Sequence, residues 1–232
     1  MIPIFIGYDP RDAVSFSVLC NSIIRLSSQP VSIIPLNLKN LPMYVEKHTD
    51  GSTEFSYSRF LVPCLADYTG WAIYMDCDML LLDDISKLWA LQDPKYAVQC
   101  VQHQYSTKQS VKFLGNENRS YPRKNWSSMM LFNCEHPALK LLTPQLISSS
   151  TGSYLHQFEW LDDLHIGSLS TDWNWLPDEH GVNDFAKIIH YTLGSPHFEE
   201  YKHTPMSEYW FKEYDLIYDP VTVTKATDSR LR

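Results

Sequence analysis

Apolar positions along this chain come in short bursts between polar turns, and the period of each burst predicts an element. Residues 2–7 are apolar throughout and break at Gly7-Tyr8-Asp9-Pro10, the pattern of a buried strand and its turn. Asp12 is placed to cap a helix starting near Ala13, with Val14, Val18, Leu19, Ile23 and Leu26 on one stripe. Residues 31–36 read as a second strand and 39–51 as irregular. A helix is predicted over 55–67, with Phe55, Phe60, Leu61, Leu65 and Ala66 on its apolar side and a bend at Pro63. A strand over 71–75 leads into Asp76-Cys77-Asp78 and a second apolar run, after which Asp83 and Asp84 start a short helix over 85–91. Strands over 96–101 and 126–133, helices over 137–146 and 154–164, an aromatic piece over 171–176, a strand at 188–191 and a helix near 206–214 follow. Residues 103–124 are polar and mixed and predict a long loop, a candidate flap on the acceptor side, because loops of that length in compact chains are functional or mobile. The polar stretch 222–232 is expected to fray. Strands alternating with helices predict an α/β chain that opens like a nucleotide-binding unit.

Composition narrows the partners. The chain has 232 residues, 44% of them apolar, enough for one sizeable core, so 1–232 is expected to form one domain. A formal net charge of −8 argues against a phosphate-tracking surface and against nucleic acid as a partner. Cys20, Cys64, Cys77, Cys100 and Cys134 are widely spaced with no C-x-x-C pair. That predicts buried thiols in a reduced, cytoplasmic protein, with neither a disulfide nor a zinc framework. The first residues lack the basic lead and long apolar stretch of a signal peptide, and no apolar run is long enough to be a transmembrane segment.

The candidate chemistry gathers at Met75-Asp76-Cys77-Asp78-Met79. Read as an extended segment, it turns Asp76 and Asp78 to the same side. Two such carboxylates at the carboxyl end of a strand suit a hard cation better than a core. Open α/β sheets bind ligands beyond those strand ends. The pair is therefore expected to hold a divalent ion that in turn holds a diphosphate. Without the ion, each like-charge pair at ~4 Å would cost about 4 kcal/mol at an effective dielectric of ~20. Arg59, in Tyr57-Ser58-Arg59, is a candidate to neutralise phosphate or grip a sugar. Taken alone, Tyr8, Asp9 and Arg11 form an ordinary strand-to-helix connection, and a lone Asp-x-Asp is a weak signal.

The order of the pieces strengthens it: a strand and polar turn, Tyr57-Ser58-Arg59, Asp76-Cys77-Asp78, the small-residue strand at Trp126-Ser127-Ser128, the acidic segment with Asp162 and Asp163, and His190-Tyr191-Thr192-Leu193-Gly194. With them the chain resembles the retaining glycosyltransferases of family 8, glycogenin and the bacterial lipopolysaccharide galactosyltransferases among them. The resemblance covers most of residues 4–198 and is strongest over 57–89 and 188–196. It implies the GT-A fold, a nucleotide-binding α/β sandwich with a mixed central sheet flanked by helices. It also implies that Asp76, Asp78 and His190 ligate Mn²⁺ or Mg²⁺, which clamps the diphosphate of a nucleotide-sugar donor, a UDP-sugar being favoured. Hard oxygen ligands with one imidazole suit manganese. By the same matching, Gly7 and Asp9, with Tyr8 between them, fall where the family meets the nucleoside. Cys77 lies inside the donor motif, Arg59 falls on the arginine that reaches the donor sugar or phosphate, and Gly194 on the glycine whose backbone approaches the diphosphate. One of Asp162 and Asp163 matches the donor-sugar aspartate, Asp163 being favoured.

Two departures stand out. The family often carries a lysine shortly after the histidine; here the nearest position is His197, a weaker, pH-dependent cation. The family's Asn-Ala-Gly is replaced by Trp126-Ser127-Ser128, so the donor sugar cannot be carried over. The expected activity is metal-dependent sugar transfer, with retention, to a glycan, lipid-linked or protein acceptor. Either the diphosphate guides the acceptor in on the same face or Asp163 attacks first. A catalytically weak nucleotide-sugar-binding module is the alternative suggested by the departures. A metal-dependent nucleotidyltransferase is a further one, weakened by the lack of a glycine-rich, basic phosphate loop near Gly7.

Overall fold

The computed structural model describes residues 1–218; the stretch 222–232, expected to fray, lies outside the described residues. The chain opens with β1 (Ile2–Gly7), α1 (Ala13–Leu26), β2 (Val31–Leu36), α2 (Val62–Leu65) and β3 (Trp71–Met75). Next come β4 (Met79–Leu81), α3 (Ile85–Trp89), β5 (Val98–Cys100) and two short strands, β6 (Val111–Lys112) and β7 (Asn116–Glu117). Then follow β8 (Met129–Asn133), α4 (Pro144–Ser149), α5 (Gly152–His156), β9 (Ile166–Ser168), α6 (Pro177–His180), β10 (Ile188–His190) and α7 (Ser207–Tyr218).

Six strands make one mixed sheet in the order β2-β1-β3-β8-β5-β9. β1 is parallel to β2 and β3, β8 is antiparallel to β3 and β5, and β5 is parallel to β9. Helices cover both faces, which is why the central strands read as unbroken apolar runs. Strand alternation sorts their side chains. Ile4, Ile6, Ile73, Met75, Met129 and Leu131 join Leu19 and Ile23 of α1 and Ile85 and Leu88 of α3 on one face. Phe5, Tyr74, Met130 and Phe132 join Phe60, Leu61, Leu139, Ile147 and Leu155 on the other. Each such fully buried side chain contributes roughly 1.5–3 kcal/mol. β4 and β10 pair with each other outside this sheet, and their Leu80 and Ile189 pack with Val18, Met206 and Trp210.

Several expected helices are shorter than their apolar patterns. The stretch 55–67 is a 3-10 turn, Ser58–Leu61, followed by α2, with Pro63 in the first helical turn. Proline lacks the N–H and clashes with the preceding turn, so it starts a helix here and does not continue one. Pro144 does the same to 137–146, which splits into a 3-10 turn, Pro137–Leu141, and α4. The helix expected over 154–164 stops after His156, and Phe158 takes a φ of 55°, left-handed backbone that no helix continues through. The loop over 103–124 carries the small β6–β7 hairpin.

Candidate active site

Asp76-Cys77-Asp78 is not the end of one long strand. β3 ends at Met75 and β4 begins at Met79, so the apolar run after the acidic pair belongs to a different sheet. The pair is the turn between two layers. The Asp76 amide donates to the Ser128 carbonyl at 3.0 Å, and the Tyr191 amide donates to the Asp78 carbonyl at 3.0 Å. The turn is thereby fixed to the entrance of β8 on one side and the exit of β10 on the other. Because His190 pairs with Met79 across β4–β10, His190 arrives beside Asp78. The carboxylates face one another through this turn and its partners, not through strand alternation.

Asp76, Asp78 and His190 each present a ligand atom, all within 4.8 Å of one another. Asp78 Oδ1 is buried and receives no hydrogen bond, and it stands 3.3 Å from His190 Nε2. The imidazole is oriented by Asn174. The Asn174 amide nitrogen donates to Ser128 Oγ at 2.8 Å, so its Oδ1, 3.0 Å from His190 Nδ1, accepts the imidazole proton. Nε2 is left with its lone pair aimed at Asp78, the tautomer a metal ligand needs. Two carboxylates, one of them with an orphaned buried oxygen, and one imidazole lone pair fit a divalent cation.

Arg59 lies directly behind. It is 6% exposed, and its Nη1 stands 3.0 Å from Asp76 Oδ1 and donates to the Ser127 carbonyl at 2.9 Å. Its Nε donates to the Ser56 carbonyl at 3.0 Å, and the Tyr74 hydroxyl donates to Asp76 Oδ1 at 2.6 Å. Burial pushes the Asp76 carboxyl up, against the pull of Arg59. These groups line a cleft of about 760 Å³, within the usual range for a small-molecule site, at the carboxyl ends of β1 and β3.

The other candidates separate. Gly194 lines the cleft with a φ of 152°, and an added Cβ would strike the Tyr201 ring. Asp9 lines it too, but its carboxylate accepts from the Arg11 side chain and from the Glu54 amide at 3.1 Å. Burial opposes the Asp9 charge most strongly, but the Arg11 side chain and the Arg11 and Glu54 amides together outweigh it, so its pKa is lowered. Cys77 is buried in the wall, and burial pushes its thiol far up. Gly7 and Tyr8 do not line the cleft. Phe55 lies over Gly7, and Tyr8 packs edge-on against Phe16. Gly7→Ala would drive a methyl into the Phe55 ring and to 2.8 Å from Tyr74 Oη. The expected loss is about 1–3 kcal/mol in denaturant unfolding.

Asp162 and Asp163 are not brought to the cleft. Asp162 caps the 3-10 turn Asp163–His165 by accepting from the Leu164 amide at 2.9 Å. Asp163 is 75% exposed and pairs with Arg123 at 2.7 Å. The early stop of α5 carries both to the outside, and the cleft wall at this point is His156 and Gln157. His197 also misses the cleft lining. It stands 3.5 Å from Asp12, stacks on Trp210 at 5.6 Å, and burial lowers its pKa, so it is a neutral ring and not a spare cation. Sequence reasoning missed three residues that matter here: Asn174 behind His190, His156 whose Nδ1 is 2.8 Å from Ser127 Oγ, and Lys112 of the flap. Only the length of the flap hinted at the last of them.

Known proteins resemble this chain in sequence and in fold. The family model described as Glycosyl transferase family 8 matches residues 25–195. Protein CDI of Arabidopsis thaliana is 44% identical over 221 residues, covering 91% of this chain and 85% of its own. Among solved structures, the galactosyltransferase LgtC in complex with donor and acceptor sugar analogs is 14% identical with a TM-score of 0.55, over 92% of this chain and 95% of that one. The glycosyltransferase GlyE of Streptococcus pneumoniae TIGR4 is 14% identical with a TM-score of 0.62 over 92% of this chain. The bifunctional glycosyltransferase WbbM is 17% identical with a TM-score of 0.59 over 91% of this chain. The chain spans 60% of GlyE and 51% of WbbM. At these identities the structural likeness speaks for the fold. Among the described residues, no helix is long and apolar enough to cross a membrane.

Proposed function

Because the chain belongs to glycosyl transferase family 8 and is a glycosyltransferase of GT-A fold, we propose that it moves a sugar from a nucleotide-diphosphate sugar, a UDP-sugar being favoured, to a glycan, lipid-linked or protein acceptor. The observation that carries this reading is the convergence of Asp76, Asp78 and His190 within 4.8 Å at the rim of the cleft. These three would hold Mn²⁺ or Mg²⁺, which when bound supplies positive charge against the donor diphosphate. Arg59 holds Asp76 in place and keeps its carboxylate turned to the site. Asn174 holds His190 in the ligating tautomer.

We propose retention through the diphosphate, without a carboxylate nucleophile. Among the described residues, three cleft carboxylates outside the metal set are engaged: Asp9 by Arg11, Asp50 by Tyr57 and Glu117 by Arg119. Asp12 accepts from Ser195 through Oδ2 while its buried Oδ1 receives no hydrogen bond, and burial pushes its carboxyl up to about 7, which makes it a poor nucleophile. Asp163, the sequence candidate for attack, is exposed and paired with Arg123. The acceptor then enters on the face the diphosphate leaves.

The test is a panel of UDP- and GDP-sugars with Mn²⁺, Mg²⁺ or excess EDTA, read by release of nucleoside diphosphate and by thermal shift. One donor is expected to raise the melting temperature only with the ion present; saturation at ~100 times Kd is worth about 2.7 kcal/mol. Release is expected to stop in EDTA. Equal activity in EDTA overturns the metal-dependent reading.

A further inference from the structure

We propose that Lys112 is the cation that meets the leaving diphosphate, in a chain with no lysine in the turn directly after His190; this rests on the sugar-transfer reading above. Lys112 ends β6, in the flap, and lines the cleft together with Asp76, Asp78 and Gly194. The residue after it anchors the flap. The Phe113 amide donates to the Leu193 carbonyl at 2.5 Å. The Phe113 ring lies 5.4 Å from that of Phe198, and the Arg11 guanidinium covers it at 5.5 Å. The flap is thus bolted to the turn that follows His190, and Lys112 is delivered to the diphosphate side of the cleft from outside that turn.

The other cations lining the cleft are committed. Arg59 is tied to Asp76, Arg119 to Glu117, and Lys124 to Asn118 and to the Arg119 carbonyl at 2.7 Å. The half-buried Lys112 side chain makes no hydrogen bond or ion pair among the described residues, although it feels the carboxylates of Asp78 and Asp76. An uncommitted ammonium facing an acidic pair is repaid when an anion arrives between them.

The transfer step creates that anion. The bond from the anomeric carbon to the β-phosphate oxygen breaks with its electron pair on that oxygen. The acceptor oxygen bonds the same carbon, and its proton passes to the departing diphosphate. Lys112 donates a charge-assisted hydrogen bond to the diphosphate as its charge grows. The ammonium keeps its own proton count.

Lys112→Gln and Lys112→Arg test this in the full chain. Binding of UDP and GDP is compared with that of UMP and GMP by calorimetry, with and without Mn²⁺, beside turnover and the melting temperature of the metal-free protein. Lys112→Gln is expected to weaken diphosphate binding roughly 10- to 100-fold, leave monophosphate binding within about threefold, and leave the melting temperature unchanged. Lys112→Arg is expected to restore most of the loss, because the charge is retained. Undiminished preference for diphosphate in Lys112→Gln, or equal losses for diphosphate and monophosphate, overturns the assignment of Lys112 alone. Wild-type protein that binds the diphosphates no better than the monophosphates overturns the sugar-transfer reading with it.

Discussion

Asp78→Asn is expected to cut sugar transfer by about a thousandfold or more while leaving the melting temperature of the metal-free protein unchanged or higher. The asymmetry comes from what Asp78 does without a cation. Its Oδ1 is buried, receives no hydrogen bond, and faces a ring nitrogen 3.3 Å away whose lone pair also points at it. Replacing that carboxylate by an amide removes a buried anionic oxygen that receives no hydrogen bond in the absence of the ion. The same change removes a hard, charged ligand from a set of three. A metal centre contributes several kcal/mol to stabilising developing charge, and about 4 kcal/mol corresponds to a thousandfold in rate. Single-turnover assays and thermal melts with and without Mn²⁺ read the two halves separately. The ion is expected to raise the melting temperature of wild type and not of the variant. A variant that melts far below wild type in EDTA would show Asp78 to be structural.

Arg59→Met is expected to have the opposite profile: a large loss of stability as well as of activity. Arg59 and Asp76 are 6% and 7% exposed, so each is the other's substitute for water. Removing the guanidinium leaves a buried carboxylate with the Tyr74 hydroxyl, and strips the Ser56 and Ser127 carbonyls of a donor. Breaking a buried pair by deleting one partner costs about 3–5 kcal/mol. In a chain of this size that is a fall of roughly 10 °C in melting temperature. Excess Mn²⁺ is expected to recover more stability in this variant than in wild type, since a dication beside Asp76 replaces the lost charge. Melts of both proteins across a Mn²⁺ titration check this; equal shifts would mean that Asp76 does not take part in binding the ion.

How legible the site was depended on how local its cause is. Asp76 and Asp78 stand together in the sequence, and their strand context pointed to a cation whether or not they lie in one extended segment. The reason offered for their common direction was wrong, because β3 and β4 belong to different sheets, yet the turn between them has the same effect. Asp162 and Asp163 show the reverse case. Their apolar neighbours fit a helix that would have presented one of them inward, but backbone turned left-handed at Phe158 ends that helix early and swings both outward. His197 looked like the nearest cation along the chain, while the cleft-lining cation without a hydrogen-bond or ion-pair partner among the described residues is Lys112, carried in by a hairpin.

The sequence by itself determined the layers, the acidic pair and the family. Strand alternation, buried apolar runs and proline positions act between residues a few places apart, and they survive as pattern. Only the tertiary structure decided which charges meet. His190 reaches Asp78 through the β4–β10 pairing, Asn174 sets the imidazole from behind, and Arg59 is sealed against Asp76 from another element. Those contacts join residues far apart along the chain, and their strength depends on burial and distance, quantities that a linear order does not contain.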